Sequence, residues 1–539
     1  MTEGYATQRL DHLGIVAGIC REIGLAEQIE RIVGPTERQV SVGEAVQAMV
    51  LNALGFTSRP LYLTPEFFAH KPLDRLLRPG LTAEMLNDDS LGRALDILHE
   101  RGETEIFAQV ASHALRVYGI SHRFVHLDTT SFSVEGEYDR PDEPGVIRIT
   151  HGYSRDHRPD LKQVVVALLT TYRSALPTWI QALDGNTNDS RAFPAIVAAY
   201  LAQMGEGETP YLVADSALYS EENLQRLSEV KWLTRVPERL GLAKGLIEAV
   251  SAEEMQPAAQ EGYRSLELCT VYGGVRQRWL VVWSASAQER EQAALQKRIE
   301  KEKKKAEKAW RALCRREFTT PQEAEAAVRE KEKRWRYHRV EARLQLVAHY
   351  GQRGRPPAGA KPQRVGYRWE GEVVESAEAM AAAQRRLGKF ILATNELDEG
   401  ALPAEEMLWA YKGQGVGPER GFRFLKDPWF FADSLFLKKP ARIMALVMVM
   451  GLALLVYALA EHKLRSALQE RGESIPNQVG KPTQRPTMRR VFQMFEGIDV
   501  LLIPAADGVR QQVLNLRPVH RQILRLLGPH VEKCYQDTS

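Results

Sequence analysis

The chain changes its hydrophobic period three times. From residue 1 to about 120, apolar positions recur at helical spacing. VGEAVQAMVLNALGF covers Val42 to Phe56, and in LNDDSLGRALDILHERG Asp88 or Asp89 is placed to cap a helix that Gly102 ends. From about 121, short apolar runs take over: FVHLDTTSF, VVVALLTTY at Val164 to Tyr172, TWIQALDGN at Thr178 to Asn186 and YLVADSALYS at Tyr211 to Ser220. Ser220 then opens a helix. Hairpin-like strands followed by strand–helix alternation predict an α/β sheet of mixed direction. Between about 240 and 385, the strand-like pieces RSLELCTVYGGVRQRWLVVWS and RVGYRWEGEVVE bracket a charged helical segment from Gln288 to about Leu346. Thr320-Pro321-Gln322-Glu323 carries a capping box with proline at the first helical position, so this segment reads as a helical hairpin inserted into a β-rich module. GKFILATNE, Gly388 to Glu396, returns to a core strand and leads into a further helix.

Length adds that 539 residues are too many for one simple core and suggest three or four units. Charge adds little: 72 Lys and Arg against 69 Asp and Glu leave +3, a faint signal for a polyanionic partner. Cys20, Cys269, Cys314 and Cys534 form no CxxC pair, which argues against a zinc ribbon or a disulfide framework and fits a reducing compartment. The opening MTEGYATQRLDHLG lacks the basic and apolar regions of a secretory signal, so a cytoplasmic location is expected. The uncharged run Ile443 to Ala460 is long enough to span a bilayer, yet a helix buried on all sides in a large core looks the same in one dimension. It begins 443 − 426 = 17 residues after Lys426, and this placement favours the core over a membrane.

Chemistry enters with a repeated syntax. FVHLDTTSF and YLVADSALYS each set an Asp and then small hydroxylated residues after an apolar run, placing Asp128 and Asp215 where a buried strand should stay apolar. An unpaired carboxylate there is costly unless a cation or a donor network compensates. In open α/β sheets ligands gather at strand ends near a switch in strand order, so the two acids are candidates to converge across 215 − 128 = 87 residues and to share Mg²⁺. Each acid alone more often caps a turn or pairs with Arg. A third candidate, Glu419, precedes Lys426 by seven residues, which puts both on one helix face. His151, Arg155, His157, Arg158 and Lys162 form a basic loop that suits either a phosphate backbone or a solvated turn. Lys481, Arg485, Arg489 and Arg490 read as an extended basic tail that contacts DNA. The lysines of Lys297 to Phe318 fit a solvated helix face better than a DNA contact. Asn186 and Asp189 suit a turn, and Trp232 and Trp429 suit core packing better than base stacking.

HLDTTSF, HGYSRDHRPDLKQ at His151 to Gln163, DGNTNDS at Asp184 to Ser190, VADSALYS and the segment carrying Tyr411, Glu419 and Lys426 together resemble bacterial insertion-sequence transposases of the IS4 superfamily, IS1634 group. These motifs cover about 120 to 500, with IPNQVGKPTQRPTMRRVFQMFEGI similar to that group's C-terminal part. The resemblance implies a ribonuclease H-like mixed sheet flanked by helices, in which Asp128, Asp215 and Glu419 form an Asp-Asp-Glu triad binding two Mg²⁺, with Mn²⁺ able to substitute. A β-rich insertion between the second and third acids is usual there and matches 419 − 215 = 204 residues here. The family's Tyr-x2-Arg-x3-Glu-x6-Lys signature maps onto Tyr411, Glu419 and Lys426, with two departures: Gln414 stands at the Arg position, and four residues separate it from Glu419.

The resulting expectation is a helical DNA-binding domain at 1–120, a catalytic domain split between 121–240 and 386–470, a β-rich and helical-hairpin insertion at 241–385, and a basic C-terminal tail at 471–539. The implied activity is cleavage at the ends of an insertion sequence and joining to target DNA, by a homodimer holding double-stranded DNA ends. The competing readings are a metal-dependent nuclease of the same fold without strand transfer and a catalytically inactive DNA-end-binding protein. An aspartyl phosphatase is excluded because Thr130 stands where an Asp-x-Asp motif needs its second acid.

Overall fold

The computed structural model describes residues 5–56, 60–138, 143–204, 209–351, 361–413, 417–427, 437–505 and 508–538. It divides into two compact units, the first comprising Met1–Thr234, Val271–Val275 and Glu406–Ser539, the second Arg235–Thr270 and Arg276–Glu405.

The main sheet of the first unit is built from β1 (Phe124–Val134), β2 (Lys162–Thr171), β3 (Pro177–Leu183), β4 (Tyr211–Ala214) and β5 (Trp232–Arg235). They lie in the order β3-β2-β1-β4-β5. β1 pairs antiparallel with β2, and β2 antiparallel with β3; β1 pairs in parallel with β4, and β4 in parallel with β5. The sheet is therefore mixed, as the shift from hairpin-like runs to strand–helix alternation predicts, and strand direction changes at β1. The helix α1 (Asp189–Ala202) follows β3, and α2 (Ala404–Lys412), α3 (Pro418–Leu425) and α4 (Pro440–Glu470) follow in the last part of the chain.

The long helix α4 organises the core of this unit. It contains the uncharged run, with a mean hydropathy of 2.6 over its most apolar window, 83% of which is buried. It packs against β3 and against helices Leu13–Glu22, Val42–Ala53, Asp88–Glu100, Glu103–Tyr118 and Pro518–Leu527. A helix surrounded on all sides needs no polar face, which explains the sequence's likeness to a membrane span. Gly451 marks the closest approach: a Cβ there would stand 2.8 Å from Ile180 Cγ2 and 2.9 Å from Phe107 Cε2.

Three local expectations are corrected. The helix Asp88–Glu100 is capped by Asn87, whose side chain accepts from the Ser90 N–H at 2.9 Å; Asp88 and Asp89 occupy its first turn. The residues expected as an extended tail fold instead. Met488–Met494 forms the helix α5, Asp499–Ala505 pairs with both Ala6–Arg9 and Gly508–Val513, and Pro518–Leu527 joins the core. The polar, proline-spaced stretch Lys481 to Arg490 hides the apolar Met488, Val491 and Phe492 that drive this packing. The charged segment of the second unit is helical over Ala285–Cys314 and Pro321–Glu332, and not beyond.

That second unit contains β6 (Tyr263–Tyr272), β7 (Val275–Ser284), β8 (His338–His349), β9 (Arg364–Glu375) and β10 (Lys389–Thr394). Residues 338 to about 346, expected to be helical, belong instead to β8, whose twelve positions pair antiparallel with β9. Thr320 caps the second helix through the Glu323 N–H, and Glu323 Oε2 accepts in return from the Thr319 N–H, each at 3.2 Å. Ser220 caps Glu221–Arg226 as expected.

Substituting Gly451→Val should overpack the junction of α4 with β3 and cost about 1–3 kcal/mol. The urea midpoint should fall with the fold retained, and an unchanged midpoint would show that this contact is slack.

Candidate active site

β1 and β4 carry the first two acids. The parallel ladder runs from Phe124↔Tyr211 to Leu127↔Ala214, and Asp128 and Asp215 are the next residue on each strand. Asp128 is not at a strand end, because β1 continues to Val134 while pairing with β2; it stands where the parallel ladder stops. The Thr129 N–H donates to Asp128 Oδ1 at 2.7 Å, and the Ala217 N–H to Asp215 Oδ1 at 2.9 Å. Burial pushes the Asp128 carboxyl up from 3.8 to about 6; the Thr129 hydrogen bond and Arg155 oppose this, and the charges of Asp215 and Asp189 add to it.

Arg155 braces the same strand from the basic loop. Its guanidinium donates to Thr129 Oγ1 at 2.9 Å and pairs with Asp189 in the first turn of α1, while Thr129 Oγ1 donates to Asp189 Oδ1 at 2.6 Å. The loop is held by Gln163, whose Nε2 donates to the Tyr153 carbonyl at 3.3 Å and to the Gly185 carbonyl at 2.6 Å. Arg158 pairs with Asp160 on the exposed surface, at 2.8 Å. Lys162 begins β2, six residues from Leu168, the partner of Asp128, so it lies about 20 Å along the strand from the acids.

Glu419 is exposed in the first turn of α3, between two glycines that set the depth of this helix on β2. A Cβ on Gly417 would stand 2.5 Å from Thr170 Oγ1, and one on Gly421 would stand 2.7 Å from Leu168 Cδ2. Leu168 lies opposite Asp128, and directly paired residues share a sheet face, so α3 covers the face that Asp128 occupies. Lys426 ends α3 with its Nζ 2.8 Å from Asp156 Oδ1 and 5.4 Å from the centre of the Phe132 ring. Tyr411 lies on α2, which is tied to β1 by His126 Nε2 at 2.7 Å from the Ala410 carbonyl. Burial lowers His126 to about 4, so the ring is neutral and donates. Gln414 and Trp429 lie outside the described residues, and Trp232 is buried in the core.

The C-terminal basic residues fall in different environments. Arg489 pairs with Asp427 at 2.9 Å, just after α3, and its N–H donates to Tyr457 Oη at 3.0 Å. Arg490 lies in the first part of α5, its N–H donating to the N-cap Thr487. Lys481 and Arg485 are exposed on the approach to that helix.

The residues that position α3 were missed from sequence. Glu461, 3% exposed on α4, pairs with Arg420 of α3 and with Arg465 at 2.8 Å, and its Oε2 accepts from the Met488 N–H at 3.1 Å. One buried carboxylate thus joins α3, α4 and α5. A signal existed, since Glu461 directly follows the uncharged run and Arg420 directly follows Glu419.

Among the described residues no group of three His, Cys, Asp or Glu side chains gathers closely enough to hold a metal ion. The pair Asp128 and Asp215 nonetheless suits a hard divalent cation, because it offers oxygen donors only and sets a second carboxylate beside one that burial already pushes up.

Residues 120–456, more than half of the chain, match the family described as Transposase DDE domain, and residues 5–112 match a domain of unknown function, DUF4277. No curated protein matches the chain. Among solved structures, a chain of the cryo-EM structure of a piggyBac transposase synaptic complex with hairpin DNA matches over 92% of this chain and 83% of that one, at 8% identity and a TM-score of 0.37.

Two outcomes follow from this geometry. A carboxyl whose folded value is raised from 3.8 to about 6 destabilises the metal-free fold as pH climbs through that window, by up to about 3 kcal/mol above it. Asp128→Asn should therefore raise the urea midpoint in EDTA at pH 8 and leave it unchanged at pH 4; equal shifts at both pH values would sink the assignment. Glu461→Gln leaves two arginines facing a neutral group and should cost about 3 kcal/mol. A loss under 1 kcal/mol in denaturant titration would mean that the network is dispensable.

Proposed function

The chain belongs to the transposase DDE domain family, and from that premise we propose that it cuts DNA at the ends of an insertion sequence and joins them to target DNA through Asp128, Asp215 and Glu419. It is a DNA transposase, an enzyme of a family that works with divalent metal ions. Within that family we assign it to the IS4 superfamily, IS1634 group, on the order of its motifs, and to the ribonuclease H-like fold on the strand order β3-β2-β1-β4-β5 with direction changing at β1.

The observation that carries the reading is the meeting of two acids where the parallel ladder stops, one of them pushed up to about 6. Asp128 and Asp215 are the natural holders of Mg²⁺ or Mn²⁺, with Glu419 on α3 as the third ligand and two ions as the expected complement. Ions bound there would supply Lewis-acid activation of a water or a DNA 3′-hydroxyl and stabilise the leaving oxygen of an in-line attack on phosphorus. The protein's own part is orientation. The Thr129 N–H fixes one oxygen of Asp128, the Ala217 N–H fixes one of Asp215, and the Arg155–Asp189 pair, through Thr129, stiffens β1 beside Asp128. Lys426 is held at the far end of α3 by Asp156, an anion that a DNA phosphate can replace.

Arg155 and Arg158 on the loop, Lys481, Arg485, Arg489 and Arg490 near α5, and Tyr411 on α2 are proposed backbone contacts. Lys162 would serve a more distant stretch of the same duplex. Holding two ends at once calls for a homodimer on DNA in the bacterial cytoplasm. A second reading, an inactive DNA-end-binding protein, draws on Glu419 standing apart from the two aspartates.

The test is cleavage of a labelled fragment carrying the native flanks of the gene, with Mg²⁺ or Mn²⁺. Wild type should nick at a discrete end, while Asp128→Asn, Asp215→Asn and Glu419→Gln bind with unchanged affinity and lose cleavage by about a hundredfold or more. Binding without cutting by wild type would favour the inactive end-binding protein. Cutting that survives in the variants would mean that other carboxylates do the work.

A further inference from the structure

The helix Ala285–Cys314 of the second unit has two opposed faces. Leu295, Ile299, Ala306, Trp310 and Leu313 are buried on one. That side is fixed in place: Trp310 Nε1 donates to the Gly371 carbonyl at 2.8 Å, and Glu302 accepts from the N–H groups of Arg336 and Tyr337 at 3.1 and 2.7 Å.

On the other side, Lys297, Lys301, Lys304, Lys308, Arg311 and the C-cap Arg315 follow one another at intervals of four, three, four, three and four residues. At 3.6 residues per turn these cations occupy an arc of about 80°. All six are exposed. Arg311 lies 3.6 Å from Glu307; among the described residues no carboxylate pairs with Lys297, Lys301, Lys304, Lys308 or Arg315. Four exposed arginines elsewhere in the second unit are matched: Arg316 to Glu323, Arg329 to Glu325, Arg334 to Glu330 and Arg343 to Glu370. Glu300 and Glu307 border this line, whereas a helix stabilised by surface pairs would carry acids within it. The face instead concentrates one sign of charge on a rigid rod, at a cost in self-repulsion that a bound polyanion removes.

We propose that this face is a binding track for the phosphate backbone of duplex DNA. From Lys297 to Arg315 the track is about 27 Å long at helical rise, which corresponds to roughly eight base pairs. Its contacts are to phosphates, so it binds without regard to sequence and serves to hold flanking or target DNA while the site selects the bond. An anionic bilayer fits less well, because an interfacial helix needs its apolar side free and here that side is committed to the unit's own core. The inference rests on the reading of this protein as one that acts on DNA.

The test is anisotropy of a labelled duplex of arbitrary sequence, titrated with the full-length protein over a range of KCl concentrations. Three proteins are compared: wild type, the triple variant Lys301→Gln, Lys304→Gln, Lys308→Gln, and a charge-matched control at the exposed Lys244, Lys333 and Lys533. Each lost phosphate contact should remove about 0.9 from the slope of log affinity against log salt. The triple variant should therefore lose about 2–3 from that slope and bind at least about tenfold more weakly, with its thermal unfolding unchanged and the control close to wild type. A slope equal to wild type, or an equal loss in the control, overturns the track while leaving the carboxylate site standing. Failure of wild type and Asp128→Asn alike to bind any duplex overturns both. Retention on anionic vesicles without duplex binding would assign the face to a membrane and end this proposal.

Discussion

An anion in a protein interior must find cations or be expelled, and Glu461 turns that requirement into architecture. It stands on the helix that packs against β3, α3, α5 and five further helices of the first unit, so its position is set by apolar packing before its charge is considered. The two arginines and one N–H that satisfy it come from α3, from α4 itself and from the start of α5. The hydrophobic effect locates the rod, and electrostatics then dictates what may be docked on it. Arg420 is adjacent in sequence to the proposed third acid. The geometry of the candidate site is therefore inherited from a core that contains none of its ligands.

The site itself inverts this logic. Around Glu461 charge is neutralised within the protein; at Asp128 it is not. The strand order brings two acids to the point where parallel pairing stops, and the nearest cation, Arg155, is shared with Asp189 and Thr129. Lys426, which lies on the helix of Glu419, is committed to Asp156. Arg155 and Lys426 are thus already partnered, and the remaining negative charge is available for something brought from outside. A site preorganised in this way trades folding stability for binding capacity.

Much of this was legible in the sequence because it depends on local rules. FVHLDTTSF and YLVADSALYS read as strands with an acid after the apolar run, and pairing places them side by side in parallel. Ser220 and Thr320 cap the helices that follow them. What was not legible depends on partners far away in the chain. HRVEARLQLVAH has charge enough for a solvated helix and becomes a strand because RVGYRWEGEVVE matches it residue for residue. Met488, Val491 and Phe492 look like stray apolar residues in a basic tail until the core receives them. Glu461 and Arg420 are 461 − 420 = 41 residues apart, and no periodicity links them. Asn87 was passed over as a cap because two aspartates follow it, yet a cap must precede the first helical turn.

The pairing of Ala6 with Leu502 closes a loop of 502 − 6 = 496 residues, and Arg9 pairs with Asp499 in the same ladder. Synthesis proceeds at about 5–20 residues per second, so a strand made at the outset waits on the order of a minute for its neighbour. During that interval the edge of Ala6–Arg9 is open, and the helix Leu13–Glu22 lacks the cover of Pro529–Lys533. This one ladder of the first unit therefore closes only after almost the whole chain has emerged. A chain interrupted between residues 420 and 498 contains Asp128, Asp215 and Glu419 but not the strand that pairs with Ala6–Arg9.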